Sequence, residues 1–420
     1  MIRRGLKEKI ESKSITVGVV GLGYVGLPLT IQIMSKGFKA IGFENDETKI
    51  EKLKSKKSYL LDVLDEEIEG IFESGFKLTC NYNYIEECDV LIFCLPTPLD
   101  TEKEVDYSIL EKSIQKAIKY INTEKLIILE STVSIGKTRE VSKYIESRMD
   151  IKFGENFYIA FSSERVNPGS NIELHKIPKV VGGLTRQCLK NAELFYSKIF
   201  NDIHCTSSLE VAEASKLLEN IYRFINIALI NELSEILSDL KVNVWDVIDA
   251  AATKPFGFQK FYPGPGIGGH CLPVDPKYFN HSVKGISKES KMINLAYELN
   301  EQRKEYIHKK ISENSDVKNV LLIGVSYKKD TSDVRETSAK KIMNHLEENK
   351  YSVEFFDPYV HNFNNKNSIS LSDIENYDLI LIHTAHSNID YEYIYLKSKK
   401  ILDMQNVTKE YFELNKTHIL

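Results

Sequence analysis

Short apolar runs alternate with helical patterns through the N-terminal half of the chain. Residues 15–20 form an apolar run rich in β-branched side chains, as in a strand buried on both faces. An apolar helical pattern follows to about Ser35, where Lys36-Gly37 stops it. Residues 38–43, 89–95, 125–129 and 157–161 read as further strands of the same kind. The pattern then changes. Residues 209–240 are helical and long, and 245–252 add a shorter helix. After a polar, lysine-rich bridge at about 312–319, a second α/β pattern starts, with strands at 320–325, 353–358, 378–382 and 400–403. The whole predicts an α/β chain of two doubly wound domains joined by a long central helix and a helical middle domain. The expected boundaries are 1–205, 206–311 and 312–420.

The link between the first two strands gives the first domain a chemistry. Gly21-Leu-Gly23-Tyr24-Val25-Gly26 follows the strand at once and opens the helix. Gly21 makes the tight turn, Gly23 lets the main chain meet a pyrophosphate at the helix N-terminus, and Gly26 permits close helix–strand packing. Glu44 ends the next strand, about 20 residues beyond the glycines, where a carboxylate takes the adenosine ribose hydroxyls. A lone GxGxxG is weak. With strand, helix, strand and acid in register, a Rossmann-like dinucleotide site is a strong reading. Glu44 would repel a 2′-phosphate, so NAD is expected over NADP, although Lys49, one turn into the next helix, works against that preference.

Ligands in such sheets bind at the carboxyl ends of the strands. Thr97, Ser131 and Thr132 are hydroxyls delivered to that edge, and capping of the following helix is a role they can also have. Glu164 and Arg165 end another strand, where they suit a polar ligand or form a simple surface pair. The C-terminal α/β half lacks a GxGxxG, so a second dinucleotide is not expected there. Its loop carries Lys328, Lys329 and Arg335, well suited to phosphate or to an ordinary solvated surface.

Between the two halves lies the most unusual stretch, Tyr262-Pro-Gly-Pro-Gly-Ile-Gly268-Gly-His-Cys271-Leu-Pro-Val-Asp275-Pro. Its glycines let backbone N–H groups approach a ligand, and its prolines stiffen the loop before anything binds. Cys271 reads as a thiol held out for use, and Asp275 is close enough in sequence to orient a water. On the long helix, Lys216 and Asn220 share one face. Together they can hold a developing oxyanion, one by charge and one by hydrogen bond. An ordinary exposed lysine is the alternative. A helix so long and so apolar could also bury one face against a second subunit.

Composition removes other classes. The net charge of −5 and pI near 6.1 give no electrostatic case for nucleic acid. No apolar run is long enough to span a bilayer. The first ten residues are basic without a signal-peptide core and read as a frayed extension. The six cysteines are scattered with no CxxC pair, so neither zinc nor a disulfide framework is suggested, and a cytoplasmic chain with reduced thiols fits. His383 and His386 have no third ligand in view, so no metal is expected.

Taken together, the motif Gly264-Pro-Gly-Ile-Gly-Gly-His-Cys271-Leu-Pro-Val-Asp275, the segment Ala214-Ser-Lys216-Leu-Leu-Glu-Asn220 and the loop Tyr327-Lys-Lys-Asp-Thr-Ser-Asp-Val-Arg335 resemble the nucleotide-sugar 6-dehydrogenase family. That family comprises the UDP-glucose, GDP-mannose and UDP-N-acetylhexosamine dehydrogenases. Phe-Tyr-Pro-Gly-Pro-Gly (261–266) and Ser-Glu-Arg-Val-Asn-Pro-Gly (163–169) look most like the UDP-N-acetylglucosamine branch. The mannosamine and glucose branches, and a β-hydroxyacid dehydrogenase, are the alternatives. The resemblance implies a homodimer acting on a UDP-sugar with NAD in surface polysaccharide synthesis. It implies Cys271 as the nucleophile that captures a C6 aldehyde and carries it to a thioester. Lys216 and Asn220 would hold the oxyanion, Asp275 and Thr132 handle water, and Glu164 assist proton transfer. Arg165, Tyr262, Gly268 and Lys328 would meet substrate. Arg335 would join Gly21, Gly23, Tyr24, Val25, Gly26, Glu44, Lys49, Thr97 and Ser131 on the cofactor side. Three positions depart from the family: Ser163 where proline is frequent, Glu44 where aspartate is, and Gln405 where arginine is.

Overall fold

The computed structural model describes residues 5–60, 62–122, 124–165, 173–286 and 288–414. The chain divides into two compact units: Met1–Leu218 with Lys277–Lys288, and Glu219–Pro276 with Glu289–Leu420.

The first unit opens with a short helix, α1 (Leu6–Glu11), which corrects the expectation of a frayed start. Leu6 and Ile10 are fully buried, and Lys9 donates to Asp89 at 2.6 Å, so the segment gains enough apolar burial to stay docked. Next come β1 (Thr16–Val20), α2 (Gly26–Ser35), β2 (Lys39–Phe43), β3 (Lys77–Thr79), β4 (Val90–Phe93), β5 (Lys125–Leu129), β6 (Phe157–Phe161), β7 (Lys179–Gly183), α3 (Arg186–Tyr196) and β8 (Ile203–Cys205). Among the described residues they form one sheet in the order β3-β2-β1-β4-β5-β6-β7-β8. All neighbours are parallel except β6 and β7. Every residue of β4 and β5 is buried, which is why these strands read as unbroken apolar runs. The strand order reverses between β1 and β4, and the crevice outside their carboxyl ends is where such a sheet takes a ligand.

The long helix α4 (Leu209–Asp239) starts in the first unit and continues into the second. There it is followed by α5 (Val244–Ala251), the cysteine loop, and the start of α6 (Asp275–Val283), which rejoins the first unit at Lys277. A second long helix, α7 (Lys291–Ser312), leads to β9 (Asn319–Ile323), α8 (Ser338–Glu348), β10 (Ser352–Phe356), the small hairpin β11 (Asn362–Phe363) and β12 (Lys366–Asn367), then β13 (Leu379–Ile382) and β14 (Ile401–Asp403). The order β10-β9-β13-β14 is all parallel. One face of this sheet is covered by Ile342, Met343 and Leu346 of α8 with Ile307 and Ile311 of α7, the other by Ile374, Ile394 and Tyr395. The fold is therefore the expected α/β one: two doubly wound sheets with a helical stretch between them in sequence. No helix among the described residues is long and apolar enough to cross a membrane.

Candidate active site

The glycine turn has the geometry that a dinucleotide needs. Gly21 takes φ +91°, and a Cβ there would lie 2.7 Å from the Cys94 carbonyl oxygen. A Cβ on Gly26 would lie 1.9 Å from the Gly21 carbonyl oxygen, so helix and turn touch through glycine alone. A Cβ on Gly23 would meet nothing within 4 Å, which leaves the floor open at the point of pyrophosphate approach. Val25 is the residue before the helix, and Tyr24 is half exposed above it. These residues fit the dinucleotide that the sequence implied.

Glu44 is 7% exposed and already partnered. Its Oε2 accepts from Leu22 N at 3.1 Å, its Oε1 from Asn45 N and Asp46 N at 2.9 and 3.1 Å, and Lys49 Nζ stands 3.6 Å from Oε2. The carboxylate thus ties the glycine turn to the end of β2 before any ribose arrives. Lys49 balances its charge.

The strand-end hydroxyls are engaged inside the first unit. Thr97 Oγ1 donates to the Thr132 carbonyl at 2.8 Å and accepts from the Tyr278 hydroxyl at 2.7 Å. Ser131 Oγ accepts from Leu95 N at 2.9 Å and lies 3.3 Å from the Phe93 carbonyl. These hydroxyls therefore lock the ends of β4 and β5 together, whatever they add toward a ligand. Thr132 and Glu164 are half-buried at the same edge. Glu164 Oε1 accepts from Arg165 N at 2.6 Å, and Arg165 Nη1 donates to the Pro178 carbonyl at 3.0 Å. Residues 166–169, which follow, lie outside the described residues. Lys216 is half-buried on α4. Three residues earlier, Glu213 is fully buried and accepts from Gly136 N and Thr138 N at 2.6 and 2.9 Å, which fixes this part of the helix against the loop after β5.

In the second unit the cysteine loop is braced at both ends. Its stem is held at Gly264, whose N–H donates to Asn231 Oδ1 at 2.9 Å and whose carbonyl accepts from Arg303 Nε at 2.9 Å. Ile267 N donates to Asn300 Oδ1 at 2.7 Å. Tyr262 stacks on Trp245, 5.0 Å between rings, and donates to Asp249 at 3.1 Å. The glycines nearest the cysteine make room for protein. A Cβ on Gly268 would lie 2.8 Å from the Glu336 carbonyl, and one on Gly269, at φ +88°, 2.6 Å from the Tyr327 ring. The loop is thus seated on segment 327–337, which carries Lys328 and Arg335. Arg335 pairs with Asp333 at 2.5 Å and sits near His270, where burial and then the Arg335 charge keep the imidazole proton affinity low.

Cys271 is exposed at the N-terminal end of α6. Its carbonyl accepts from Val274 N and Asp275 N at 3.2 and 2.8 Å, the first turn of that helix. Asp275 and Asn220 are both buried, and Asn220 Nδ2 donates to Asp275 Oδ2 at 2.5 Å. Two residues read separately from the sequence are therefore one hydrogen-bonded pair, with Asp275 four residues after the cysteine.

Sequence reasoning passed over Asn231, Asn300 and Arg303, which carry no motif and act through tertiary hydrogen bonds. It also passed over His270, although it adjoins the cysteine, and Tyr278, two residues beyond that stretch. The pair His383 and His386 is structural. His386 Nε2 lies 3.1 Å from Asp357, His383 Nε2 lies 2.8 Å from Ser338 Oγ, and no group of potential metal ligands occurs among the described residues.

Comparison with known proteins matches three consecutive segments. Residues 15–200 match the NAD binding domain of the UDP-glucose/GDP-mannose dehydrogenase family, 210–302 its central domain, and 321–410 its UDP binding domain. The chain is 33% identical to a UDP-N-acetyl-D-mannosamine dehydrogenase of Methanocaldococcus jannaschii over 95% of its length and 94% of the relative's. It is 33% identical to a UDP-N-acetyl-D-glucosamine 6-dehydrogenase of Pseudomonas aeruginosa over 89% and 91%. The solved structure of a UDP-D-ManNAc dehydrogenase from Pyrococcus horikoshii superposes with a TM-score of 0.85 at 29% identity, covering 93% of this chain and 96% of that one.

Proposed function

The chain belongs to the UDP-glucose/GDP-mannose dehydrogenase family, an NAD-dependent enzyme of the UDP-sugar class, and from that premise we propose that it oxidises the C6 hydroxymethyl of UDP-N-acetylglucosamine to the uronic acid, for surface polysaccharide synthesis. The observation that carries this reading is the braced loop that exposes Cys271 just before a helix whose first residue, Asp275, is hydrogen-bonded to Asn220.

NAD, held by the Gly21–Gly26 turn and Glu44, would supply the hydride acceptor for each of two oxidations. The chain's own residues do the rest. The Cys271 thiolate, favoured by the partial positive charge of the helix end, adds to the C6 aldehyde. The carbon–sulfur bond forms as the carbonyl pair moves to oxygen. Lys216 and the second Nδ2 hydrogen of Asn220 meet that oxygen. The thiohemiacetal gives up its C6 hydride and its hydroxyl proton and becomes a thioester. Water placed by Thr132 and Asp275 then attacks, Glu164 takes its proton, and the cysteine leaves as thiolate. Arg165, Tyr262, Gly268 and Lys328 serve the sugar nucleotide. Arg335 serves the cofactor side.

The N-acetylglucosamine assignment is supported by stretch 261–266 and by the Pseudomonas relative. A second reading, UDP-N-acetylmannosamine, is favoured by the Methanocaldococcus relative at the same identity. A panel of UDP-sugars scored for NADH decides between them. Two NADH per UDP-N-acetylglucosamine, with the manno and gluco sugars much slower, is expected, and preference for another sugar overturns the assignment. Cys271→Ser should bind sugar and make no acid; uronate from that variant removes the covalent step. Lys216→Ala should lose on the order of 10²-fold in rate.

The reading includes a homodimer. Tyr222, Leu229, Leu233 and Ile236 are exposed along α4 and Leu240 just beyond its end, at spacings of seven, four, three and four, a stripe that a second copy would cover. Replacing Leu229 and Ile236 by lysine should halve the mass measured by light scattering. An already monomeric wild type rejects the dimer.

A further inference from the structure

Three side chains of α7, spaced three residues apart, each take hold of the main chain of the cysteine loop. Residues 264–270 form neither helix nor strand, so their N–H and C=O groups need partners from elsewhere. Arg303 Nε donates to the Gly264 carbonyl at 2.9 Å. Asn300 Oδ1 accepts from Ile267 N at 2.7 Å, and its Nδ2 donates to the Ile267 carbonyl at 3.3 Å. The Tyr297 hydroxyl donates to the Pro273 carbonyl at 2.6 Å. As the loop advances from 264 to 273, its partners step back along α7 from 303 to 297. Six helical residues rise about 9 Å, so the contacts form a line and not a point. Cys271 lies in sequence between the second contact and the third.

Each of these side chains is itself held. Arg303 is 2% exposed, and its Nη1 donates to Glu235 at 2.8 Å. Asn300 both gives to and takes from one residue, which fixes the orientation of its amide. The Tyr297 ring centre lies 4.7 Å from that of Phe224, in an apolar cluster shared with Ala228 and Ala296. Ile267 and Leu272, on either side of the cysteine, pack in the same cluster. The prolines limit how the loop can bend. What they leave undetermined is where the loop sits as a body, and the contacts along α7 fix that.

We propose that Tyr297, Asn300 and Arg303 are positioning residues for the addition of sulfur to the C6 aldehyde, acting through the loop backbone and not on the sugar. This rests on the assignment of Cys271 as the nucleophile. Sulfur must come within about 3.5 Å of the carbonyl carbon, and a displacement of about 1 Å can cost on the order of 10²-fold in rate. The first hydride leaves before sulfur adds. Loosening the loop should therefore separate the two oxidations: the first survives, while capture and acid formation slow and free aldehyde accumulates.

The test follows NADH and uronate in single turnover, on whichever UDP-sugar of the panel gives two NADH, with semicarbazide present to trap aldehyde. Tyr297→Phe keeps its ring and loses only the hydroxyl. It should slow acid formation on the order of tenfold and yield semicarbazone, with the first NADH within about twofold of wild type. KM and the melting temperature should not move. Asn300→Ala should act in the same direction. Arg303→Ala should slow acid formation most, and Arg303→Lys, which keeps one donor for Gly264, should recover most of the rate. If Arg303→Ala does not fold, Tyr297→Phe and Asn300→Ala decide. Both steps at wild-type rates in those two variants, or both falling together, overturn the proposal and leave the proposed function intact. A wild type that gives two NADH from no sugar of the panel overturns the role of Cys271, and the proposal with it.

Discussion

The two sheets turn out of their first strands in the same way, and only one of the turns is open. After β1, Gly21 N donates to the Phe43 carbonyl at 2.8 Å; after β9, Gly324 N donates to the Phe356 carbonyl at 2.8 Å. Both glycines have positive φ, +91° and +75°. In each sheet a carboxylate ending the neighbouring strand accepts the next N–H: Glu44 from Leu22 at 3.1 Å, Asp357 from Val325 at 2.7 Å. The turns part at the third position. Gly23 leaves open space, while Ser326 is fully buried, with its Oγ donating to the Lys328 carbonyl at 2.7 Å and lying 3.4 Å from His386. One frame thus yields open space where glycine empties it and a filled core where side chains close it. The strands and first turn residues are alike in the two sheets, and the difference in open space lies at the third residue of the turn.

That contrast can be broken at several points. Gly26→Val should be the most severe, because a Cβ already falls on the Gly21 carbonyl. Loss of measurable NAD binding is expected, with destabilisation of about 3 kcal/mol; calorimetric titration that still finds NAD affinity would refute the close-packing account. Asp357→Ala leaves buried N–H groups of Val325, Tyr359 and Val360 without an acceptor, so about 3 kcal/mol of stability should go while NAD affinity stays unchanged. Glu44→Ala should reverse that ranking, weakening NAD about tenfold or more (about 1.4 kcal/mol). If both variants affect NAD alike, the two turns are not functionally distinct. Gly23→Ala should cut NAD affinity by about tenfold and leave the melting temperature within the error set by about 0.5 kcal/mol, since nothing in the protein opposes the methyl.

The smallest effect concerns acid. His383 sits beside the closed turn, and burial lowers its pKa to about 3. Its unfolded value is near 6.5, so the unfolded chain binds this proton first. Stability from His383 is full above about pH 6.5 and is lost as pH falls toward 3. Between pH 7 and 5.5 the wild type should lose about 1 kcal/mol that a His383→Asn variant retains. Equal slopes in denaturant unfolding would remove His383 as the cause.

Legibility varied with the range of the interaction. The glycine turn, Glu44 and the principal strands were readable because each depends on neighbours within a few dozen residues. Strands β3, β7 and β8 were not read: β3 and β8 have three residues each, β3 is only half-buried along its length, and β7 ends in two glycines. Helix α1 was taken for a loose end because two buried side chains in six residues leave almost no periodic signal. In the site, Cys271 stood out by its loop. That Asn220 and Asp275 form one pair, and that Gly268 and Gly269 pack on segment 327–337, could not be seen, since those partners lie about 55 and 60 residues apart.

The amino-acid order by itself determined the α/β class, the glycine turn after β1, the acid at the end of β2 and the glycine- and proline-rich loop that singles out Cys271. Each follows from local backbone rules and from side-chain period. Only the tertiary structure decided which carboxylates are already partnered, which glycines make room for protein and which for a ligand, and where the cysteine loop meets α7. Those outcomes depend on the space left when distant segments pack. Packing density is a property of the assembled interior and is written in no single stretch of the chain.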